Sequence, residues 1–215
     1  MTGLCALGLF LGGLGAQHGL SPAAVCWVLY LSAAAILLLC RGPENAPPSL
    51  YEARLPGVPA ALLCLFLVVA LRSALGTWFD FPWKGSLALQ FTLAVALGKA
   101  CGGLLADRFG TKRAAAVTLA AAALLFVFAD VPLPGLAAVF LLNATMPMTL
   151  SAAARLLPGA RGFSFGLLTF ALFTGFLPFF IGFSPSALGN TAYALGALIS
   201  LPLLLAGQTK GRPPC

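Results

Sequence analysis

Two cationic side chains, Arg72 and Lys99, interrupt long apolar stretches of this 215-residue chain. A charge inside a membrane span costs several kcal/mol, so such an ion is by default a candidate for a functional site. No Asp or Glu lies at comparable depth, because Asp80 and Asp130 fall at the predicted outer ends of helices. Two cations without an acidic partner favour a small anionic substrate, such as an organic acid.

Three uncharged polar side chains also lie inside apolar stretches and complete the predicted substrate site: Gln90, Asn143 and Thr145. Pro147 follows the last two on the same stretch. Because proline lacks a backbone N–H, it predicts a local break that leaves carbonyl oxygens available to a substrate.

Structural interpretations compete with substrate binding for both cations. Arg72 could extend to the outer membrane interface, where Trp78 and Trp83 would form an aromatic belt and where Tyr193 is also expected. Lys99 could pair with backbone carbonyls or with an acid that this chain lacks. Lys99 lies farther from the outer interface and is therefore the stronger candidate for substrate binding.

The stretch that carries Lys99 has a small residue at every fourth position: Ala94, Gly98, Gly102 and Ala106. Such a stripe predicts close packing against another helix. Lys99 is offset from the stripe by about 100°, so it can face a cavity while the stripe packs.

The sequence has no constellation typical of an enzyme. Its six cysteines are scattered and a single histidine accompanies them, so we expect no disulfide framework and no metal site. No span carries paired carboxylates, or a Ser or Cys with a nearby base, so we expect neither catalysis nor a cofactor. Loop charges account for the net charge of +7 without nucleic acid as a partner.

Composition predicts an all-α, polytopic membrane protein in contact with the lipid bilayer. Hydrophobic residues make up 60% of the chain and the mean hydropathy is +1.01. A span needs about 20 mostly apolar residues, and eight candidates are present. They are Leu4–Gly19, Ala23–Cys40, Val58–Trp78, Ser86–Ala106, Ala114–Ala129, Leu136–Leu157, Gly162–Phe183 and Thr191–Ala206.

Loop charges orient these eight spans. Alternate loops collect nine cations on one side: Arg41, Arg54, Arg108, Lys112, Arg113, Arg155, Arg161, Lys210 and Arg212. The opposite side collects Lys84 alone. Because positive loops stay on the cytoplasmic side, both termini are predicted to be cytoplasmic, in a plasma membrane of the bacterial inner-membrane type.

Two distant segments form an internal repeat. Residues 8–24 and 171–187 agree, without gaps and at an offset of 163 residues, at eight of seventeen positions. Gly19, Ser21 and Pro22 correspond to Gly182, Ser184 and Pro185. Repeats of several spans are the usual architecture of secondary transporters.

The stretch from Gly103 to Arg113 resembles the signature loop of the major facilitator superfamily. The matching residues are Gly103, Asp107, Arg108, Gly110, Lys112 and Arg113, whereas Thr111 stands where the family usually has a basic residue. The resemblance implies a gating loop that latches the cytoplasmic helix ends. Asp107 would accept hydrogen bonds at a helix N-terminus, and Gly110 would form a tight turn with positive φ.

The internal repeat, with its offset of 163 residues, implies a division of the chain. Residues 1–40 would hold the last two helices of an incomplete first repeat, 41–57 a cytoplasmic linker, 58–207 a complete six-helix repeat, and 208–215 a cytoplasmic tail. The chain would then be the C-terminal part of a secondary active transporter, about the last eight of twelve helices. A self-contained eight-span protein remains the alternative, acting as an assembly partner or as a homodimeric half-transporter.

A substitution at Lys99 tests the anion hypothesis. In the full-length transporter, Lys99→Gln is expected to abolish uptake of anions, because the site loses the charge that attracts them. Uptake of radiolabelled organic anions into membrane vesicles measures the effect. Unchanged transport in this variant would contradict a role for Lys99 in substrate binding.

Overall fold

The computed structural model describes residues 57–157, 160–182 and 189–209, together with the isolated positions Gly19 and Leu31. These ranges contain six helices and no strand, which confirms the all-α prediction. The helices are α1 (Val58–Trp78), α2 (Ala88–Phe109), α3 (Thr111–Phe126), α4 (Pro132–Leu156), α5 (Arg161–Phe180) and α6 (Asn190–Thr209). Apart from the two isolated positions, the first two predicted spans lie outside the described residues, as does the linker up to residue 56.

Five of the six described helices are long and apolar enough to cross a membrane, and the exception is α3, with 16 residues. Large apolar side chains cover the outside of the bundle. Leu104, Leu124 and Leu133 are 70%, 71% and 78% exposed. A broad apolar exterior suits hydrocarbon better than water, so the helices support a membrane protein.

The turn between α2 and α3 is tighter than the sequence indicated. The predicted span 86–106 extends as a helix to Phe109, and α3 begins at Thr111 instead of Ala114. Gly110 alone separates the two helices, and its φ of +81° confirms the predicted positive φ. Hydropathy ends a span where charges begin, whereas helical hydrogen bonds continue through the charged last turn.

The six helices form two triplets, α1–α3 and α4–α6, and each helix packs mainly on helices of the other triplet. The middle helix of each triplet packs on the first helix of the other: α2 on α4, and α5 on α1. Likewise α3 packs on α4 and α6 on α1, while α3 and α6 pack on each other. Exchanging the triplets leaves these main pairings unchanged, so the bundle has an approximate internal two-fold symmetry.

Glycines allow the closest of these contacts. A Cβ atom at Gly98 or Gly102 would clash with the α4 backbone, at the carbonyl oxygens of Phe140 and Ala144 respectively. The predicted packing of the small-residue stripe is thereby confirmed for both glycines. In the other triplet, Gly175 of α5 meets the carbonyl of Ala70 on α1 in the same way.

Six aromatic side chains close one end of the bundle. Three come from the connection after α1 and the others from the ends of α2, α3 and α6: Phe79, Phe81, Trp83, Phe91, Phe126 and Tyr193. We call them the aromatic cluster. The Tyr193 hydroxyl donates to the carbonyl of Trp78 at 2.6 Å and accepts from the amide of Asp80 at 3.2 Å.

The aromatic cluster corrects two predictions. Trp83 and Tyr193 are not interfacial, since they are only 6% and 2% exposed. Inside the bundle, the Trp83 indole N–H donates to the carbonyl of Ala129 at 2.8 Å. Partners at neighbouring helix ends satisfy these polar groups, so both side chains can be buried without loss of hydrogen bonds.

Adjacent glycines on α2 give a matched test of the packing. Gly102→Ala is expected to lower the unfolding free energy by about 1 to 3 kcal/mol, because the added methyl group overpacks the contact with α4. Gly103→Ala is the control, since a Cβ atom there meets nothing within 4 Å. Unfolding in mixed detergent micelles measures both variants, and equal stability of the two would contradict the close contact.

Candidate functional site

Arg72 occupies a core position of α1. The buried residues Leu65, Val68, Arg72 and Leu75 recur at helical spacing along one face of the helix. Arg72 itself is 6% exposed. The chain therefore places a cation where its own pattern calls for an apolar side chain, and the guanidinium does not extend to the outer interface.

The partner of Arg72 is Thr145 of α4, one of the other predicted site residues. Arg72 Nη1 donates to Thr145 Oγ1 at 3.2 Å, and that hydroxyl donates to the carbonyl of Leu142 at 2.7 Å. Arg72 Nη2 is buried and has no hydrogen-bond partner among the described residues. A guanidinium carries five N–H donors, so Thr145 satisfies only part of the hydrogen-bonding capacity of Arg72.

The residue after Arg72 fixes α1 on its other side. The Ser73 hydroxyl donates to the carbonyl of Leu172 on α5 at 2.7 Å. Consecutive residues thus tie α1 to α4 and to α5. The two bonds define the face that α1 turns toward α4, which carries Arg72, and the face that it turns toward α5.

Asn143 lies close to this pair on α4 but makes a local bond. Its Nδ2 donates to the carbonyl of Val139 at 2.8 Å, and its Cβ atom lies beside Gly98 of α2. The break predicted at Pro147 is wrong, since α4 runs as one helix through it. Packed neighbouring helices commonly allow an internal proline in a membrane helix, and Pro147 is buried among them.

The remaining two predicted contacts lie on α2. Lys99 is half-buried, one residue after the Gly98 contact, whereas Gln90 is exposed. Nine helical residues separate them, which places them on opposite sides of α2, about 180° apart. The structure therefore brings Arg72 and Thr145 together, keeps Asn143 and Lys99 near the α2–α4 contact, and leaves Gln90 on the outside. Substrate binding by all five stays a prediction.

The gating-loop residues surround the Gly110 turn. Asp107 and Arg108 are exposed, and the Arg108 guanidinium lies 6.0 Å from the centre of the Phe109 ring. None of the hydrogen bonds among residues 57–157, 160–182 and 189–209 involves the Asp107 carboxylate, so the predicted bond to a helix N-terminus is not seen there. Gly103 is half-buried on α2. The latch itself stays a prediction.

Charge separates the two ends of the described bundle. The end that holds the Gly110 turn carries Arg108, Lys112, Arg113 and Arg155, whereas Lys84 lies at the aromatic end with Asp80 and Asp130. Lys84 Nζ donates to the carbonyl of Phe79 at 2.5 Å. Burial lowers the pKa of Lys84, and the nearby Asp80 carboxylate opposes that shift.

Comparisons of the chain with family models, with curated proteins and with solved structures found no match. Any function of the site must therefore be inferred from the geometry of its residues.

The sequence analysis missed one buried polar group, Gln208. It was predicted to be the first residue of a cytoplasmic tail, but it lies in the last turn of α6 with its amide buried. Nothing in the sequence pattern distinguishes it from a polar tail residue.

Two buried threonines allow a direct test of the Arg72 contact. Thr145→Val is expected to lower the unfolding free energy by about 1.5 kcal/mol, because it removes an acceptor from a buried guanidinium. Thr118→Val is the control at about 0.5 kcal/mol, since the Thr118 hydroxyl bonds only to carbonyls of its own helix. In an Arg72→Met background, the loss of unfolding free energy caused by Thr145→Val should fall to the loss caused by Thr118→Val. An unchanged cost in that background would show that the two side chains do not interact.

Proposed function

We propose that this chain is the C-terminal part of a secondary active transporter of the major facilitator type, which moves a small anionic solute by alternating access. In this reading α1–α6 form the complete six-helix repeat. The two earlier spans complete the eight and belong to the other half. The end that holds the Gly110 turn faces the cytoplasm.

The symmetric packing of each triplet on the other is the observation that carries the proposal. Because successive membrane helices alternate in direction, α1–α3 and α4–α6 would cross the membrane with opposite topology. Inverted repeats of three helices, nested within each six-helix half, are a feature of major facilitator transporters. The glycine contacts of α2 on α4 and of α5 on α1 obey the same symmetry.

The longer repeat has independent support from the backbone. Gly19 and Gly182 correspond in the 163-residue repeat, and they adopt φ values of +69° and +77°. Glycine adopts positive φ without steric cost. The two glycines matched by sequence therefore share a left-handed backbone conformation, as a repeat requires.

The middle helix of each triplet, α2 or α5, has an outer face that no other described helix covers. Among the five long apolar helices, α2 and α5 bury the smallest shares of their residues, 17% and 22%, against 56% for α4. We assign their outer faces to the helices of the other half. The solute would then bind between the halves, as in transporters built from repeats.

The anionic character of the solute rests on Arg72. Its Nη2 is buried without an acceptor among the described residues, and the described acids Asp80, Asp107 and Asp130 are all exposed. An anion that enters beside α1 and α4 would supply the missing acceptor. Arginine suits this role because its planar fork binds carboxylate or phosphate in a bidentate manner.

Transport by the full-length protein in proteoliposomes tests the proposal. We expect uptake of one or more organic anions from a panel, and Arg72→Gln should reduce it at least about tenfold, the equivalent of one lost charged hydrogen bond. Arg72→Lys should retain part of the activity, since it keeps the charge and loses the fork.

Lys84→Gln is the matched control, because it removes one cation from the aromatic end, away from the site. Size-exclusion profiles of all variants confirm folding. Absence of anion uptake, or equal uptake by Arg72→Gln and the wild type, would contradict the proposal. A stable dimer of the chain without flux would instead favour an assembly role.

A further inference from the structure

A cavity of about 380 Å³ opens at the basic end of the bundle, opposite the aromatic cluster. It lies where the Gly110 turn and the start of α3 meet the last turns of α4 and α6. Its volume is within the range of small-ligand sites. We call it the basic cavity.

Three cations line the basic cavity: Lys112 and Arg113 from α3, and Arg155 from α4. Among the described residues, no acidic side chain lines it and no ion pair includes these three cations. Like charges from two separate helices therefore converge on one space. The attraction of a bound anion to each cation would offset their mutual repulsion.

The backbone of α3 adds further donors. Its first intrahelical hydrogen bond runs from the amide of Ala114 to the carbonyl of Gly110, and no side chain caps its N-terminus. The amides of Thr111, Lys112 and Arg113 therefore lack intrahelical acceptors. Together with the helix dipole, they favour an oxyanion at this position.

Gln208 is the independent sign of a ligand. It lines the cavity from α6, and both its Nε2 and its Oε1 are buried without a hydrogen-bond partner among the described residues. A buried carboxamide left unpaired is costly. It requires an acceptor and a donor at once, so a ligand that carries both an oxyanion and a hydroxyl satisfies it.

We propose that the basic cavity binds the phosphate-bearing headgroup of an anionic glycerophospholipid. The cations and α3 amides would hold the phosphate, and Gln208 would hold the phosphate and a glycerol hydroxyl. A lipid is favoured over a soluble phosphate because Phe109, which lines the cavity, is 57% exposed, so an apolar ring borders the anion site. An acyl chain can lie against this ring. The site does not depend on transport.

Lipid binding to the purified full chain tests the proposal, by native mass spectrometry or by thermal shift in detergent. The probes are phosphatidylglycerol, phosphatidic acid, phosphatidylcholine and inorganic phosphate. Phosphatidylglycerol should bind most tightly, and phosphatidylcholine should not compete with it. Full displacement of phosphatidylglycerol by excess inorganic phosphate would overturn the lipid assignment.

Exposed arginines provide matched variants. Arg155→Gln should weaken phosphatidylglycerol binding about fivefold, as expected for one cation near a membrane surface. Arg108→Gln removes the same charge beside the cavity but not in its lining, and should leave binding within about twofold, because solvent screens an exposed charge that does not touch the ligand. Equal losses in the two variants would show a nonspecific charge effect and overturn the site.

Gln208→Leu separates hydrogen bonding from charge. This variant keeps the net charge and should erase the preference for phosphatidylglycerol over phosphatidic acid, because the hydroxyl loses its partner. A preference that survives the substitution would overturn the role of Gln208. Without lipid, the midpoint temperature of unfolding of this variant should equal or exceed that of the wild type, since an unpaired buried amide is removed.

Discussion

The backbone contact between α2 and α4 is the constraint on which the rest of the described bundle depends. In hydrocarbon, apolar helices have no hydrophobic driving force for association. Close packing at small residues supplies van der Waals attraction instead. Gly98 and Gly102 supply that packing against α4. Once α4 is fixed, its Thr145 can meet Arg72 of α1 and its last turn can bring Arg155 to the start of α3.

The two ends of the bundle are built in opposite ways. At one end the aromatic cluster joins most of the helix ends through ring contacts and the bonds of Trp83 and Tyr193. At the other end a single residue, Gly110, links α2 to α3, and like charges surround a cavity. Among the described residues, rings therefore fill one end of the bundle, whereas the other end holds a cavity lined by cations.

The sequence predicted the bounds of individual helices better than the contacts between helices. Both bounds of α1 were correct, because an apolar run bounded by Gly57 and Trp78 is a local signal. The pairing of Arg72 with Thr145 was not predictable, since it joins residues 73 positions apart and depends on how α1 crosses α4. Trp83 and Tyr193 were misplaced for a related reason, because an amphipathic ring can bury its polar tip only where another helix offers a partner.

The two proposed anion sites lie on the same helix. Thr145 and Arg155 are separated by ten residues of α4, about 15 Å along its axis. In the proposed alternating access, a tilt of α4 would move Arg155 relative to the start of α3 and would change the shape of the basic cavity. A headgroup bound there would then favour one tilt over the other. By linkage, the lipid would change the affinity of the Arg72 site for its solute, and the solute would change the affinity for lipid by the same factor.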